Sequence, residues 1–246
     1  GWPASEAIPQ TTLDKYGYKS MEQFRNWRWY KGLGCGPIVD SGSHQIDIYN
    51  WFLNALPKNV FASGGTNYFD KKTHEWYDTV MAVYEYETAQ GPVTAFYQTI
   101  STNSRAGHYE AFLGNEGMLN ISETTNPWNG IYREKWVLAD KWEPWCSKGY
   151  IKEIETEEET QEPASDSVVL EVRPPSLPPP QYEILVTMDK PVHQPHLENF
   201  FDAIRGKAKL NCPAEVAYET AVTVLKVNEA IETRRRLEFK PEDFKV

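Results

Sequence analysis

The sequence predicts an α+β fold: a large, mostly antiparallel sheet with helices on one face and the other face open. Three observations carry this. Apolar residues recur at helical spacing near the start, alternate with period two from about Asn59 to Val137, and return to helical spacing after Pro195. The 246 residues are 40% hydrophobic and 24% charged, enough apolar material for a full core.

Residues 1–12, with Pro3 and Pro9, read as a linker, and a single domain follows over 13–246. Ser20-Met21-Glu22-Gln23 has capping-box spacing, because a serine oxygen and a glutamine three residues on can satisfy free N–H groups of a helix start. It opens an aromatic helical turn through Phe24, Trp27 and Arg28 that ends near Gly32. A second helix begins around Ser41 to Ser43, carries Ile48, Tyr49, Phe52, Leu53 and Leu56 on one side, and is stopped by Pro57.

Residues 77–87 and 93–100 alternate and are rich in β-branched and aromatic side chains; Thr88-Ala89-Gln90-Gly91-Pro92 between them is a hairpin signal. Shorter strands at 108–113, 118–121 and 131–137 continue the meander, with Gly114-Asn115-Glu116-Gly117 as a tight turn. Residues 152–162 hold six glutamates and one lysine, and 163–191 hold seven of the 17 prolines. This 152–191 stretch reads as an extended surface excursion with short strands at 167–173 and 182–187. Two helices close the chain. Pro195 opens one bearing Leu197, Phe200, Phe201 and Ile204 and ended by Gly206; Pro213 opens another bearing Ala217, Ala221, Val224, Leu225 and Ile231. Arg234-Arg235-Arg236 stands where cations favour a helix C-terminus.

Subtracting 35 acidic from 25 basic residues gives a net charge of -10, which argues against nucleic acid and anionic membrane as partners, since both need clustered cations. No run approaches the roughly 20 apolar residues of a membrane span, and the first residues lack a signal peptide's parts. Cys35, Cys146 and Cys212 are odd in number and form no Cys-x-x-Cys pair, which fits a reducing compartment and a cytoplasmic location. The aromatic content is high, 13%, with 9 Trp, 14 Tyr and 10 Phe. It fits a thick core, a sugar-stacking surface or a subunit interface.

The sharpest local feature is Gly36-Pro37-Ile38-Val39-Asp40-Ser41-Gly42-Ser43-His44-Gln45-Ile46-Asp47. Asp40 and His44 are four apart, so on a helical turn they share a face. A carboxylate there orients the imidazole and raises its basicity, as a general base near neutral pH requires. The alternative is an Asp that caps the helix and a His that packs one turn later. Arg28 beside its tryptophans fits a stacked surface pair, and Asp47 fits a cap or an ion pair. His193 and His196 are separated by a proline that spoils a helical metal-ligand pair, so no metal site is expected. Asn120-Ile121-Ser122 matches a glycosylation sequon but has no meaning without secretion.

This segment resembles the opening of the C-terminal domain of the glucose-fructose oxidoreductase, inositol dehydrogenase and rhizopine catabolism (Gfo/Idh/MocA) family, in which a Gly-rich stretch precedes Asp-x-x-x-His-x-x-Asp. Tyr109 to Leu119, with its Gly114–Gly117 turn, is similar to the family's strand, turn, strand signature. His196-Leu197-Glu198-Asn199-Phe200-Phe201-Asp202-Ala203-Ile204-Arg205-Gly206 resembles its late helix, and residues 213–231 the helix after that. The resemblance implies part of an NAD(P)-dependent oxidoreductase of sugars or cyclitols. His44 is then the base that takes the hydroxyl proton, Asp40 its partner, and Arg28, Trp29 and Asp47 lie toward the substrate. It also implies a homo-oligomer through the open sheet face. A non-catalytic carbohydrate-binding or self-associating module is the alternative.

The family's Rossmann domain and its Glu-Lys-Pro motif have no counterpart here. Gly32-Leu33-Gly34-Cys35-Gly36-Pro37 mimics the dinucleotide fingerprint but follows a helical stretch and lacks the last glycine. Asp189-Lys190-Pro191 lies in the excursion and Glu134-Lys135-Trp136 in a strand. NAD or NADP is therefore expected to bind a missing N-terminal Rossmann domain, and this chain alone is expected to bind none.

Overall fold

The computed structural model describes residues 7–103, 107–122, 129–154, 178–186 and 189–245. Residues 10–12, read from the sequence as linker, form the first turn of α1 (Gln10–Lys15). The Pro9 carbonyl accepts from the N–H groups of Thr12 and Leu13, and the buried Leu13 side chain holds the turn to the domain. α2 (Met21–Arg25) starts where the capping box predicts. Ser20 Oγ accepts from the N–H of Gln23 at 3.1 Å, while Gln23 Oε1 accepts from Lys19 rather than Ser20, one residue earlier. A 3-10 turn, Trp27–Trp29, leads through the glycines to α3 (Pro37–Asp40) and α4 (Gly42–Leu53), which meet at Ser41.

The strands are β1 (Pro57–Gly65), β2 (Thr79–Thr88), β3 (Gly91–Ile100), β4 (Glu110–Leu113), β5 (Gly117–Ile121), β6 (Gly130–Arg133), β7 (Ile151–Glu153) and β8 (Gln181–Ile184). A short helix, α5 (Glu143–Ser147), precedes β7. α6 (Gln194–Ile204), α7 (Ala214–Thr233) and the two-residue β9 (Leu237–Glu238) complete the order.

The α+β class stands, but the single large sheet predicted from the meander is two sheets. One has the order β3-β2-β1-β9 and the other β4-β5-β6-β8-β7, all pairs antiparallel. The division falls after Ile100. Ser101 donates its N–H to the Asp78 carbonyl, the chain turns, and β4 pairs with β5 instead of β3. The residues cluster in two compact units, 1–105 with 202–246, and 106–201.

In the first unit Val60 and Ala62 of β1 and Val80, Ala82, Tyr84 and Tyr86 of β2 face the core, closed by Ile46 of α4 and Val224, Val227 and Ile231 of α7. Each fully buried valine or isoleucine among them contributes about 1.5–3 kcal/mol relative to exposure. The buried stripe of α7 runs through Thr220, Thr223, Val224, Val227, Asn228 and Ile231, whereas Leu225, expected on it, is exposed. On the opposite sheet face the register sets Phe61, Val83 and Phe96 in one row, with both phenylalanines about half exposed.

In the second unit, Gly114 and Gly117 close the predicted turn through an N–H to carbonyl bond of 2.9 Å. The strand expected over 131–137 ends at Arg133, because a turn from Glu134 to Val137 follows and the buried Arg133 guanidinium holds the Val137 carbonyl and the Tyr182 hydroxyl. β7 pairs with β8, so Ile151–Glu153 and Gln181–Ile184 share one ladder. Residues 155–177, with the strand expected at 167–173, lie outside the described residues, and the later strand is Gln181–Ile184. The apolar side chains expected on one face of α6, Leu197, Phe200, Phe201 and Ile204, are exposed. Among the described residues, no helix is long and apolar enough to cross a membrane.

Candidate functional site

The segment from Trp27 to Asp47 is fixed from three sides. From the 66–78 loop, Glu75 and Trp76 donate their N–H groups to the Trp29 carbonyl, and Trp76 Nε1 donates to the Gly34 carbonyl at 2.7 Å. From α7, Asn228 Nδ2 donates to the Cys35 carbonyl at 2.8 Å, and Glu232 pairs with Lys31 at 2.5 Å. From β3, the Tyr97 ring abuts Gly42, where an added Cβ would lie 3.0 Å from it. The start of α4 therefore sits against the sheet only because position 42 has no side chain.

Of the residues singled out from the sequence, the structure joins Arg28 to Asp40. Arg28 Nε lies 2.8 Å from both carboxylate oxygens, with the side chains 39% and 43% exposed. Asp40 is the last residue of α3, and His44 stands in the first turn of α4, beyond the joint at Ser41. His44 is exposed, and among the described residues its imidazole has no hydrogen-bond partner. Asp47 faces elsewhere: its carboxylate accepts from Thr220 Oγ1 at 2.6 Å and ties α4 to α7.

Trp29 belongs to an aromatic cluster that the sequence does not reveal. Its ring lies 4.5 Å from that of His74 and 5.5 Å from that of Phe69, and Phe69 stacks on His74 at 4.3 Å and 16°. Burial there pushes the His74 imidazole below its usual value, outweighing the carboxylate of Asp78, which acts the other way. Thr73 Oγ1 lies 3.1 Å from the Asp70 carbonyl oxygen and 2.9 Å from His74 Nδ1, so the hydroxyl links the ring to the loop backbone.

Asp78 sets the shape of this loop. Its carboxylate is fully buried and accepts from the N–H groups of Asn67, Tyr68 and Phe69 at 2.8–3.1 Å and from Thr79 Oγ1 at 3.0 Å. Burial alone would raise its pKa, but these donors together hold it below the usual carboxylate value. No short-range pattern marks Asp78 or His74, since their partners depend on how the loop folds back.

The glycine run does not fit a dinucleotide pyrophosphate. It follows a 3-10 turn and opens a four-residue helix, and protein groups press on its second and third glycines. A Cβ at Gly34 would lie 2.7 Å from Arg28 Cα, and one at Gly36, where φ is +80°, 2.8 Å from Trp76 Cβ. These glycines admit neighbouring protein groups, not a phosphate. Lys190 is engaged by both Glu198 oxygens at 2.7–2.9 Å, and Lys135 lies in a turn, not the strand expected for it. Among the described residues, no three His, Cys, Asp or Glu side chains are gathered as a metal ion would need.

The fold is similar to that of several solved structures. The aldose-aldose oxidoreductase of Caulobacter crescentus, solved with glycerol, aligns over 87% of this chain and 50% of its own at a TM-score of 0.57 and 12% identity. An NAD-binding protein of Listeria innocua aligns over 87% of this chain and 54% of its own at 0.55 and 19%. The WlbA dehydrogenase of Bordetella pertussis, solved with NADH and UDP-GlcNAcA, aligns over 95% of this chain and 53% of its own at 0.53 and 12%. The chain thus spans about half the length of these proteins. It is also 32% identical to YteT of Bacillus subtilis over 59 residues, 24% of this chain and 14% of YteT. The family described as "Oxidoreductase family, C-terminal alpha/beta domain" matches residues 8–239, and the chain therefore belongs to the Gfo/Idh/MocA oxidoreductases as their C-terminal domain.

Proposed function

We propose that this chain is the substrate-binding and assembly domain of an NAD(P)-dependent oxidoreductase that acts on a sugar or cyclitol hydroxyl. The observation that carries this reading is the exposed, unengaged His44 imidazole four residues after an Asp40 carboxylate held by Arg28. Oxidation of a secondary alcohol removes a proton from oxygen and a hydride from carbon. The hydride acceptor, NAD or NADP, is assigned to a nucleotide domain outside this chain, and the chain's own share is the proton. His44 accepts it from the substrate hydroxyl, and Asp40 stabilises the imidazolium that results. Arg28 fixes the direction of the Asp40 carboxylate, and Trp29 offers an aromatic edge toward the sugar. Asp47 serves the fold through Thr220.

Two measurements on the chain test the division of labour. Calorimetry with NADH and NADPH is expected to give no heat of binding. A sugar or cyclitol is expected to change tryptophan emission through Trp27 and Trp29, and an Arg28→Ala, Trp29→Ala variant is expected to abolish that change. Micromolar dinucleotide binding by this chain would contradict the assignment.

A second part of the reading concerns assembly. The Phe61, Val83 and Phe96 row, with the exposed Met81 beside it, is an apolar strip on the face of β1–β3 that carries none of the first unit's core. A second copy of the chain covers it. Sedimentation is expected to give an oligomer that Phe61→Glu with Phe96→Glu converts to a monomer. A wild-type monomer would overturn this part and leave the assignment of His44 standing.

A further inference from the structure

We propose that the depression at the Glu85 end of the four-stranded sheet is a second ligand site, for a neutral polyhydroxylated molecule of about monosaccharide size. The depression has a volume of about 540 Å³. Its floor is the cross-strand row Asn59, Glu85, Thr94, set side by side by the register of β1, β2 and β3. Arg236, which precedes β9, reaches over β1 and donates Nη2 to Glu85 Oε2 at 2.6 Å. The same oxygen accepts from Asn59 Nδ2 at 2.9 Å, and Asn59 is buried although it lies on the face away from the core. At the rim Lys58 pairs with Glu87 at 3.2 Å.

Both cations are thus already matched to carboxylates, and Glu238 adds one further negative charge to the lining. An ionic ligand would have to displace a formed pair, whereas a neutral ligand need not. Hydrogen-bonding capacity remains. Glu85 Oε1, the Thr94 hydroxyl and the other guanidinium N–H groups of Arg236 have no partner among the described residues. An acceptor, a donor and a hydroxyl at fixed spacing on a rigid sheet are the complement of neighbouring hydroxyl groups. The site is distinct from the one around Asp40. Glu85 lies seven residues along β2 from Asp78, roughly 23 Å at strand rise, and the Arg28 segment is tied to Trp76 beyond that end. The inference is independent of the role given to His44.

The test is calorimetry of the chain carrying Arg28→Ala and Trp29→Ala, which silence the first site, at a concentration where sedimentation gives one species, against D-glucose, D-mannose and myo-inositol, with D-glucuronate and D-glucosamine as charged counterparts. The site predicts saturable heat with at least one neutral compound and weaker binding of its charged counterpart. In this variant it predicts no change in tryptophan emission, because no tryptophan lines the depression. Added to that background, Glu85→Gln and Thr94→Val are each expected to weaken binding about tenfold or more. Thermal melts verify that both variants fold; Thr94→Val, an exposed change, serves if Glu85→Gln does not. In that background, binding that survives both substitutions, or no heat from any neutral compound, would overturn the proposal.

Discussion

Arg28 Nε stands 2.8 Å from each carboxylate oxygen of Asp40, twelve residues further along the chain. A pair this exposed contributes at most about 1 kcal/mol to stability. On the proposed reading its value lies in the direction it gives the carboxylate. Arg28→Gln is therefore expected to move the melting temperature by only a few degrees, while kcat of the full oxidoreductase falls about tenfold or more. Parallel melts and steady-state rates check this. A loss of stability as large as the loss of rate would mark Arg28 as structural.

Asp78 behaves in the opposite way. Asp78→Asn leaves the loop's three N–H groups facing an amide that accepts through one oxygen and brings unwanted donors, at a cost of about 2–3 kcal/mol. Because the folded-state pKa lies below the ordinary 3.8, the stabilisation is complete above that value and is lost as pH falls through the lower folded value. Denaturant unfolding of wild type and variant is expected to converge at the most acidic pH.

His74 adds a second acid-sensitive step at higher pH. Its folded pKa is lowered from 6.5, so the unfolded chain takes the proton first, and stability declines as pH drops below 6.5 toward the folded value. His74→Phe preserves the stack on Phe69 and removes the titration. Urea midpoints between pH 8 and pH 5 are expected to fall for wild type and to fall less for the variant.

Backbone geometry gives a pair of opposite predictions. Arg234 ends α7 at φ +53°, a left-handed conformation that costs a non-glycine residue about 1 kcal/mol, so Arg234→Gly is expected to stabilise by up to that amount. Gly34→Ala drives a methyl into the Arg28 backbone and is expected to cost more than about 1 kcal/mol. Chemical denaturation of the two variants reads both signs.

The helix starts at Ser20 and around Ser41, the β2–β3 hairpin and the Gly114–Gly117 turn were legible in the sequence because each depends on residues within a few positions of one another. The stripe of α7 was not. Thr220 and Asn228 are buried there because each binds a group on a distant segment, Asp47 or the Cys35 carbonyl, so their polarity hides the face. The division of one meander into two sheets was hidden for a related reason: alternation shows that a strand exists, not which strand it pairs with. Asp40 and His44 could be picked out by spacing, but the Arg28 partner of Asp40 could not. The Trp29, Phe69 and His74 cluster required the 66–78 loop to fold back on the 3-10 turn.

The central claim is that His44 accepts the substrate proton. It is tested most directly by steady-state oxidation of a sugar by the full-length oxidoreductase carrying His44→Ala, with His44→Gln as a control for shape. The predicted result is a kcat lower by at least about a hundredfold in both variants, with KM within a few-fold of wild type. The loss should shrink as pH rises and the hydroxyl proton leaves more easily. A kcat within twofold of wild type would contradict the claim.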